Sequence, residues 1–209
     1  MKRFFLLIIL CLLSIGVVAC SSNDDNEDYD DVPKIEKKSN PNEIDGIRIT
    51  VKGVSKEEMK GDYDKDGTPN ENGEYFGVGA DAKKAADYEY KVVNVSVENT
   101  TDKPVKLFEA GWNADGTDWD KKIKDIKVTD KLDNKEVPAH DKFDAQVKIL
   151  TEKKMNVKEI VLKYNLTNYT NLEEAMEYGD NGASEEDSKK RYPELYKENW
   201  IELGTIKFE

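Results

Sequence analysis

The chain has 209 residues, with 32 lysines and arginines against 44 aspartates and glutamates, a single histidine and a formal net charge of -12. That balance argues against nucleic acid, anionic lipid headgroups or a polyanionic cell wall as the main partner. It favours cations or basic partners, while serving equally well to keep an exposed protein soluble.

The first element is a signal. Lys2 and Arg3 precede an apolar run from Phe4 to Leu13 that is short for a membrane-spanning helix, and Val17-Val18-Ala19-Cys20 follows. This order resembles the lipobox of bacterial lipoproteins. The resemblance implies a signal peptide over 1–19, a diacylglycerol on the Cys20 sulfur and Cys20 as the mature N-terminus. The other reading is an ordinary signal peptide cut near Ala19. Acyl chains bind membrane at about 0.8 kcal/mol per buried methylene, so two of them hold a protein persistently at the extracytoplasmic face. Cys11 would leave with the signal and Cys20 would carry lipid. The mature chain would then have no thiol for a disulfide, a zinc site or a nucleophile.

Residues 20–43 carry an acidic stretch, SSNDDNEDYDDVPKIEKKSNPN from Ser21 to Asn42, with few apolar residues and no periodicity. Such composition does not offset the entropy cost of folding, so it reads as a flexible tether. The folded domain is expected over 44–209. Ile47, Ile49 and Val51 alternate as a strand, and a polar Asp/Gly/Asn-rich excursion follows over about 56–87. Tyr88 to Glu98 is the strongest strand pattern, with Val93, Val95 and Val97 on one face. Asn99 to Pro104 has turn chemistry, and Val105 to Phe108 resumes a strand, so these two runs are expected to pair as a hairpin.

Further strands are expected over Lys124–Thr129, Phe143–Ile149 and Ile160–Tyr164. In the last residues the pattern changes phase at Gly204-Thr205, which predicts a bulge. Between 165 and 199 the period changes. Asn171 and Ser184 stand at candidate helix starts, and Pro193 should interrupt the second helix. This segment reads as a partly helical, charged insertion before the last strand.

Seven or so short strands separated by turns point to an all-β fold, a β-sandwich. The block YKVVNVSVENTTDKPVKL, the turn VPAHDKFDAQVKI and the strand IVLKY resemble the Ig-like domain of Gram-positive surface lipoproteins similar to the immunoprotective extracellular antigen. Val97-Glu98-Asn99-Thr100 and Pro104-Val105 carry the likeness over roughly residues 45 to 164. Pro138-Ala139-His140 departs from the usual Pro-Gly turn. The resemblance implies an immunoglobulin-like β-sandwich and no established enzymatic activity.

One motif has metal chemistry behind it. Asp62-Tyr63-Asp64-Lys65-Asp66-Gly67-Thr68 is a D-x-D-x-D-G loop, in which alternate carboxylates converge on a hard cation. Calcium is the natural ion, with Asp62, Asp64, Asp66, the Thr68 carbonyl and Asn70, Glu71 or Glu74 as candidate ligands. Gly73 at the twelfth position and Pro69 at the eighth speak against an EF-hand. The same residue types also make ordinary solvated turns.

Trp119, beside Asp115, Asp118 and Asp120, is a candidate exposed binding residue, whereas Trp112 and Trp200 are expected in the core. His140 has no recognisable nucleophile motif nearby and reads as a surface residue. Two functional classes follow. The first is a membrane-anchored, non-catalytic module that binds an unidentified surface protein or other ligand. The alternative is a secreted hydrolase working through carboxylates, supported by calcium.

Overall fold

The alternation read over Tyr88–Asn99 places Val93, Val95 and Val97 fully inside the protein, and this strand is the middle of the larger sheet. The computed structural model describes residues 42–62, 68–69, 72–77, 82–116 and 123–208, which fall within one unit, Lys38–Glu209. Its strands are β1 (Glu43–Ile44), β2 (Ile47–Glu58), β3 (Tyr75–Phe76), β4 (Lys83–Lys84), β5 (Tyr88–Asn99), β6 (Val105–Leu107) and β7 (Trp112–Gly116). They continue with β8 (Ile123–Val128), β9 (Lys135–Val137), β10 (Lys142–Glu152), β11 (Glu159–Asn165) and β12 (Trp200–Lys207). Two short helices, α1 (Leu172–Asp180) and α2 (Glu185–Arg191), lie between β11 and β12.

The strands form a five-stranded sheet ordered β1-β2-β5-β10-β8 and a three-stranded sheet ordered β12-β11-β7. Every pairing is antiparallel. Ile47, Ile49, Val95, Val147 and Ile149 from the first sheet share one core with Trp112, Ile160, Leu162, Tyr164 and Ile201 from the second. The molecule is therefore two sheets packed over a common apolar layer. Full burial of each such side chain contributes about 1.5–3 kcal/mol. On the opposite face of the larger sheet, Tyr88, Tyr90, Val92 and Leu150 form a second cluster that Met59 and Phe76 cover. The excursion after β2 thus earns its place by shielding aromatic surface.

Register and strand direction sort the connections into two ends. Turns 45–46, 99–104 and 138–141 and the segment 166–199 lie at one end, where Asn199 reaches Asp45. The connections that follow β2, β7 and β10 leave from the other.

Several expectations need correction. Val105–Leu107 does not form a hairpin with the preceding strand: β6 pairs with β9, and β5 is already hydrogen-bonded on both edges by β2 and β10. The excursion begins later than residue 56, because β2 runs on to Glu58, accommodated by a bulge between Val51 and Gly53. The end of the expected tether already belongs to the sheet: the Asn42 carbonyl accepts from the Ile49 N–H, and β1 occupies Glu43–Ile44. Trp200 is only half-buried and lies outside the core.

Other expectations hold. Pairing on β12 passes from Leu162–Gly204 to Lys163–Glu202, which leaves Leu203 as the extra residue of a bulge beside left-handed Gly204 at φ 74°. The Ser184 hydroxyl accepts from the Asp187 N–H at 3.1 Å and caps α2, which stops at Arg191, two residues before Pro193.

Candidate functional site

The end bearing the helical segment is held by one buried asparagine. Asn99 is fully enclosed, and its Nδ2 donates to the carbonyls of Lys103 (2.8 Å), Pro138 (3.0 Å) and Val137 (3.2 Å). Its Oδ1 accepts from the Thr101 N–H and hydroxyl. One carboxamide thereby joins the 99–104 turn to the 138–141 turn. Thr100 adds the β1–β2 turn, donating from its N–H and its hydroxyl to the Gly46 carbonyl. His140 occupies the left-handed region at φ 58° and meets Asp102 across these turns, with Nε2 and Oδ1 2.9 Å apart. Both side chains are largely exposed.

The helical segment is clamped where it leaves and rejoins the sandwich. Leu166 donates its N–H to the Asn199 carbonyl, the Asn165 Oδ1 accepts the Asn199 N–H, and Asn165 Nδ2 donates to the Lys197 carbonyl. Inside the lobe the Arg191 guanidinium lies over the Tyr178 ring at 4.7 Å and the Tyr192 ring at 5.4 Å. Arg191 and the Tyr192 hydroxyl both donate to Glu174. Between lobe and sandwich is an open depression of about 550 Å³, lined by Asp45, Leu166, Thr167, Asn168, Glu194, Lys197, Glu198 and Asn199.

Beside it is the outer face of the three-stranded sheet. Trp200, Glu202, Lys163, Asn113 and Asp115 share that face, because each is paired directly across or lies two residues along a strand. The Lys163 ammonium lies 4.3 Å from the centre of the Trp200 ring, a cation–π contact, and 3.9 Å from the Asp115 carboxylate. Asn113 stands opposite Lys163 in register, is over nine-tenths buried, and its Oδ1 has no hydrogen-bond partner.

Of the residues that the sequence singled out, Cys20, Asp64, Asp66, Asn70, Glu71 and Trp119 lie outside the described residues. Asp62, Thr68 and Glu74 are described and exposed. The Gly61 N–H donates to the Gly73 carbonyl at 2.9 Å, and Ala85 N–H donates to the Glu74 carbonyl, so the two ends of the acidic loop are brought together. Among the described residues no three His, Cys, Asp or Glu side chains converge as a metal site.

The carboxylate chemistry of a hydrolase would call for an acid with a raised pKa. Glu109 is such a group: burial first, then the neighbouring Asp133 and Asp125 charges, push its pKa up. Its Oε2 accepts the Val128 N–H at 3.2 Å, however, which covers a backbone donor on the edge strand β8. That is a structural task. Sequence reading passed over Lys163, placed Trp200 in the core and read Asn113 only as the start of an acidic loop. The signal was present, since Ile201 is a core residue and its neighbour Trp200 must point the other way.

No protein-family model matches the chain, and no curated protein matches it. Two solved structures are similar. One is an uncharacterised β-sandwich protein from Clostridium difficile 630, 13% identical over 58% of this chain and 80% of that one, with a TM-score of 0.35. The other is a candidate lipoprotein from Bacillus subtilis subsp. subtilis strain 168, 18% identical over 60% of this chain, with a TM-score of 0.33. The chain spans 33% of the length of the latter.

Proposed function

We propose that this protein is a lipid-anchored module of the extracytoplasmic membrane face that binds a partner without catalysing a reaction. Its sandwich is read as Ig-like, in keeping with the resemblance carried by Asn99-Thr100 and Pro104-Val105. The membrane half of this reading rests on Lys2, Arg3, the apolar run and Cys20. No helix among the described residues is long and apolar enough to cross a membrane.

The binding half is supported by one observation above all. Two described groups that could do acid–base work instead hold turns and edges, His140 against Asp102 and Glu109 on the Val128 N–H. The same end of the sandwich presents an open polar depression beside an outward-facing tryptophan. Such concave and aromatic surface is what a recognition site uses.

The anchor is tested by detergent phase partition of the full chain and its Cys20→Ser variant after growth with labelled palmitate. The wild type should carry label and enter the detergent phase. A variant that is labelled and partitions equally would overturn the lipid reading.

A further inference from the structure

We propose that the outer face of the three-stranded sheet is a platform for a neutral saccharide, with Trp200 as the stacking surface and Lys163 as a side chain that changes seats when the sugar arrives. The proposal deepens the reading of the chain as a binding module by naming the chemistry of its ligand.

Trp200 stands on an outward position of β12, in a row with exposed Glu202 and opposite the structural amide of Asn165. A half-buried indole at such a position keeps apolar surface near water, and the flexible stem and ammonium of Lys163 cover that surface, 4.3 Å above the ring. A lysine is a cover that moves readily. It also has somewhere to go. The Asp115 carboxylate is 3.9 Å from the ammonium, too far for a good hydrogen bond, and the Asn113 Oδ1 directly across the strand lacks any donor.

A buried acceptor without a donor is costly, and the residue opposite it in register, Lys163, carries a mobile donor. Swinging that ammonium off the ring toward Asn113 and Asp115 would satisfy the orphaned oxygen, tighten the ion pair and uncover the indole in one movement. The free protein keeps the ring capped; the bound protein keeps the amide satisfied.

The ligand must then offer an apolar face to Trp200 and hydroxyls to its surroundings. A pyranose does both. Its C–H face stacks on an indole while its equatorial hydroxyls can donate to Asp115 and Glu202 and accept from Lys163. A polyanionic sugar is disfavoured by Asp115, Glu202 and the net charge of -12. A purely aromatic ligand would leave the carboxylates unused.

The test is calorimetric titration of the full chain, held in Triton X-100 because that detergent carries no sugar, with cellotetraose, chitotetraose and mannotetraose, and with dextran sulfate as the anionic comparison. At least one neutral tetrasaccharide should bind saturably, and Trp200→Ala should weaken it by about tenfold or more, a loss of about 1.4 kcal/mol. Trp200→Phe should retain part of the affinity, and Asp115→Asn should weaken it with the fold intact. These two decide the matter if Trp200→Ala does not fold. Lys163→Met should shift binding by removing the moving donor.

Absence of saturable binding with all three neutral sugars titrated to about 10 mM would overturn the platform. So would equal affinity in the Trp200 and Asp115 variants, or binding of dextran sulfate alone. Failure here with normal membrane partition of the wild type would leave the anchored-module reading standing. A chain that binds sugar but does not partition would overturn only the anchor.

Discussion

The Tyr164 hydroxyl accepts the backbone N–H of Phe108 at 3.1 Å, joining the end of β11 to the entrance of β7 across 56 residues of sequence. The ring is fully buried, packs against Trp112 with centroids 5.0 Å apart, and passes so close to Gly111 that a Cβ there would come within 2.5 Å of it. Ring, glycine and N–H form one unit. Burial raises the Tyr164 pKa far above the ordinary tyrosine value, more than the Phe108 hydrogen bond lowers it.

Tyr164→Phe should therefore leave the Phe108 N–H buried without an acceptor and cost about 1–3 kcal/mol. Sign follows from the direction of the shift. A phenol whose folded pKa is raised supplies stability that is intact below the unfolded value of about 10 and falls away as pH rises through the folded one. Urea unfolding at pH 8 and pH 11 should show wild-type stability dropping at the higher pH and a smaller drop in the Phe variant. Equal drops would assign the alkaline loss to other groups.

Asn99→Ala should be among the most damaging single changes in the domain, on the order of 3 kcal/mol, because it strands three carbonyls and the Thr101 donors together. Asn99→Asp should not rescue it, since a carboxylate accepts but cannot donate to Lys103, Val137 and Pro138. Thermal unfolding of the two variants is the measurement. An Asp variant as stable as wild type would show that the donor side of the amide is dispensable.

Glu109 offers a second pH-dependent experiment. Its pKa is raised by burial, so the stability tied to its protonated form is present below the unfolded value of about 4.3 and declines as pH climbs through the folded one. Glu109→Gln keeps an oxygen for the Val128 N–H and removes the buried charge. The variant should be at least as stable as wild type at pH 7 and show a flatter profile between pH 4 and pH 7 on denaturant titration. Marked destabilisation at pH 7 would mean that the ionised carboxylate itself is required.

Two glycines give contrasting outcomes. A Cβ on Gly61 would lie 1.4 Å from the Tyr75 carbonyl oxygen, so Gly61→Ala should break the Gly61–Gly73 closure and expose the Tyr88–Tyr90 cluster to proteolysis. Gly53 has open space around its position and an ordinary φ, and Gly53→Ala should be neutral or slightly stabilising. Limited proteolysis of both variants separates them. Equal resistance would mean that the backbone at Gly61 has room to shift.

Much of the architecture could be read before any coordinates, and the reason is visible at particular residues. Val93, Val95 and Val97 alternate without interruption because β5 lies in the middle of its sheet with one face on the core. The phase change at Gly204 was legible for the same reason, as a break in an otherwise regular count. Pairing was not. Asn99 to Pro104 carries turn residues that suit a hairpin, yet Asn99 directs its amide to Val137 and Pro138, and the strand that follows is taken up by β9. Local turn chemistry fixes that a chain bends, while its next partner is decided by contacts far along the sequence. That Asn113, Lys163 and Trp200 share one face was not legible because they come from three separate strands, and Trp200 read alone suited a core position.

The paired anchorage of Asn165 and Asn199 also bears on how such a protein changes over generations. Because the chain leaves and returns between two positions already joined by hydrogen bonds, everything between Leu166 and Asn199 is a cassette inserted at a closed seam. Replacing that cassette by a short turn, or grafting another in its place, would keep the two asparagines and would need to restore the cover that Leu166 gives the core and Tyr169 gives Phe108. The sandwich is thus a socket, and the outward residues of the cassette are free to diverge while the seam and its packed contacts stay the same.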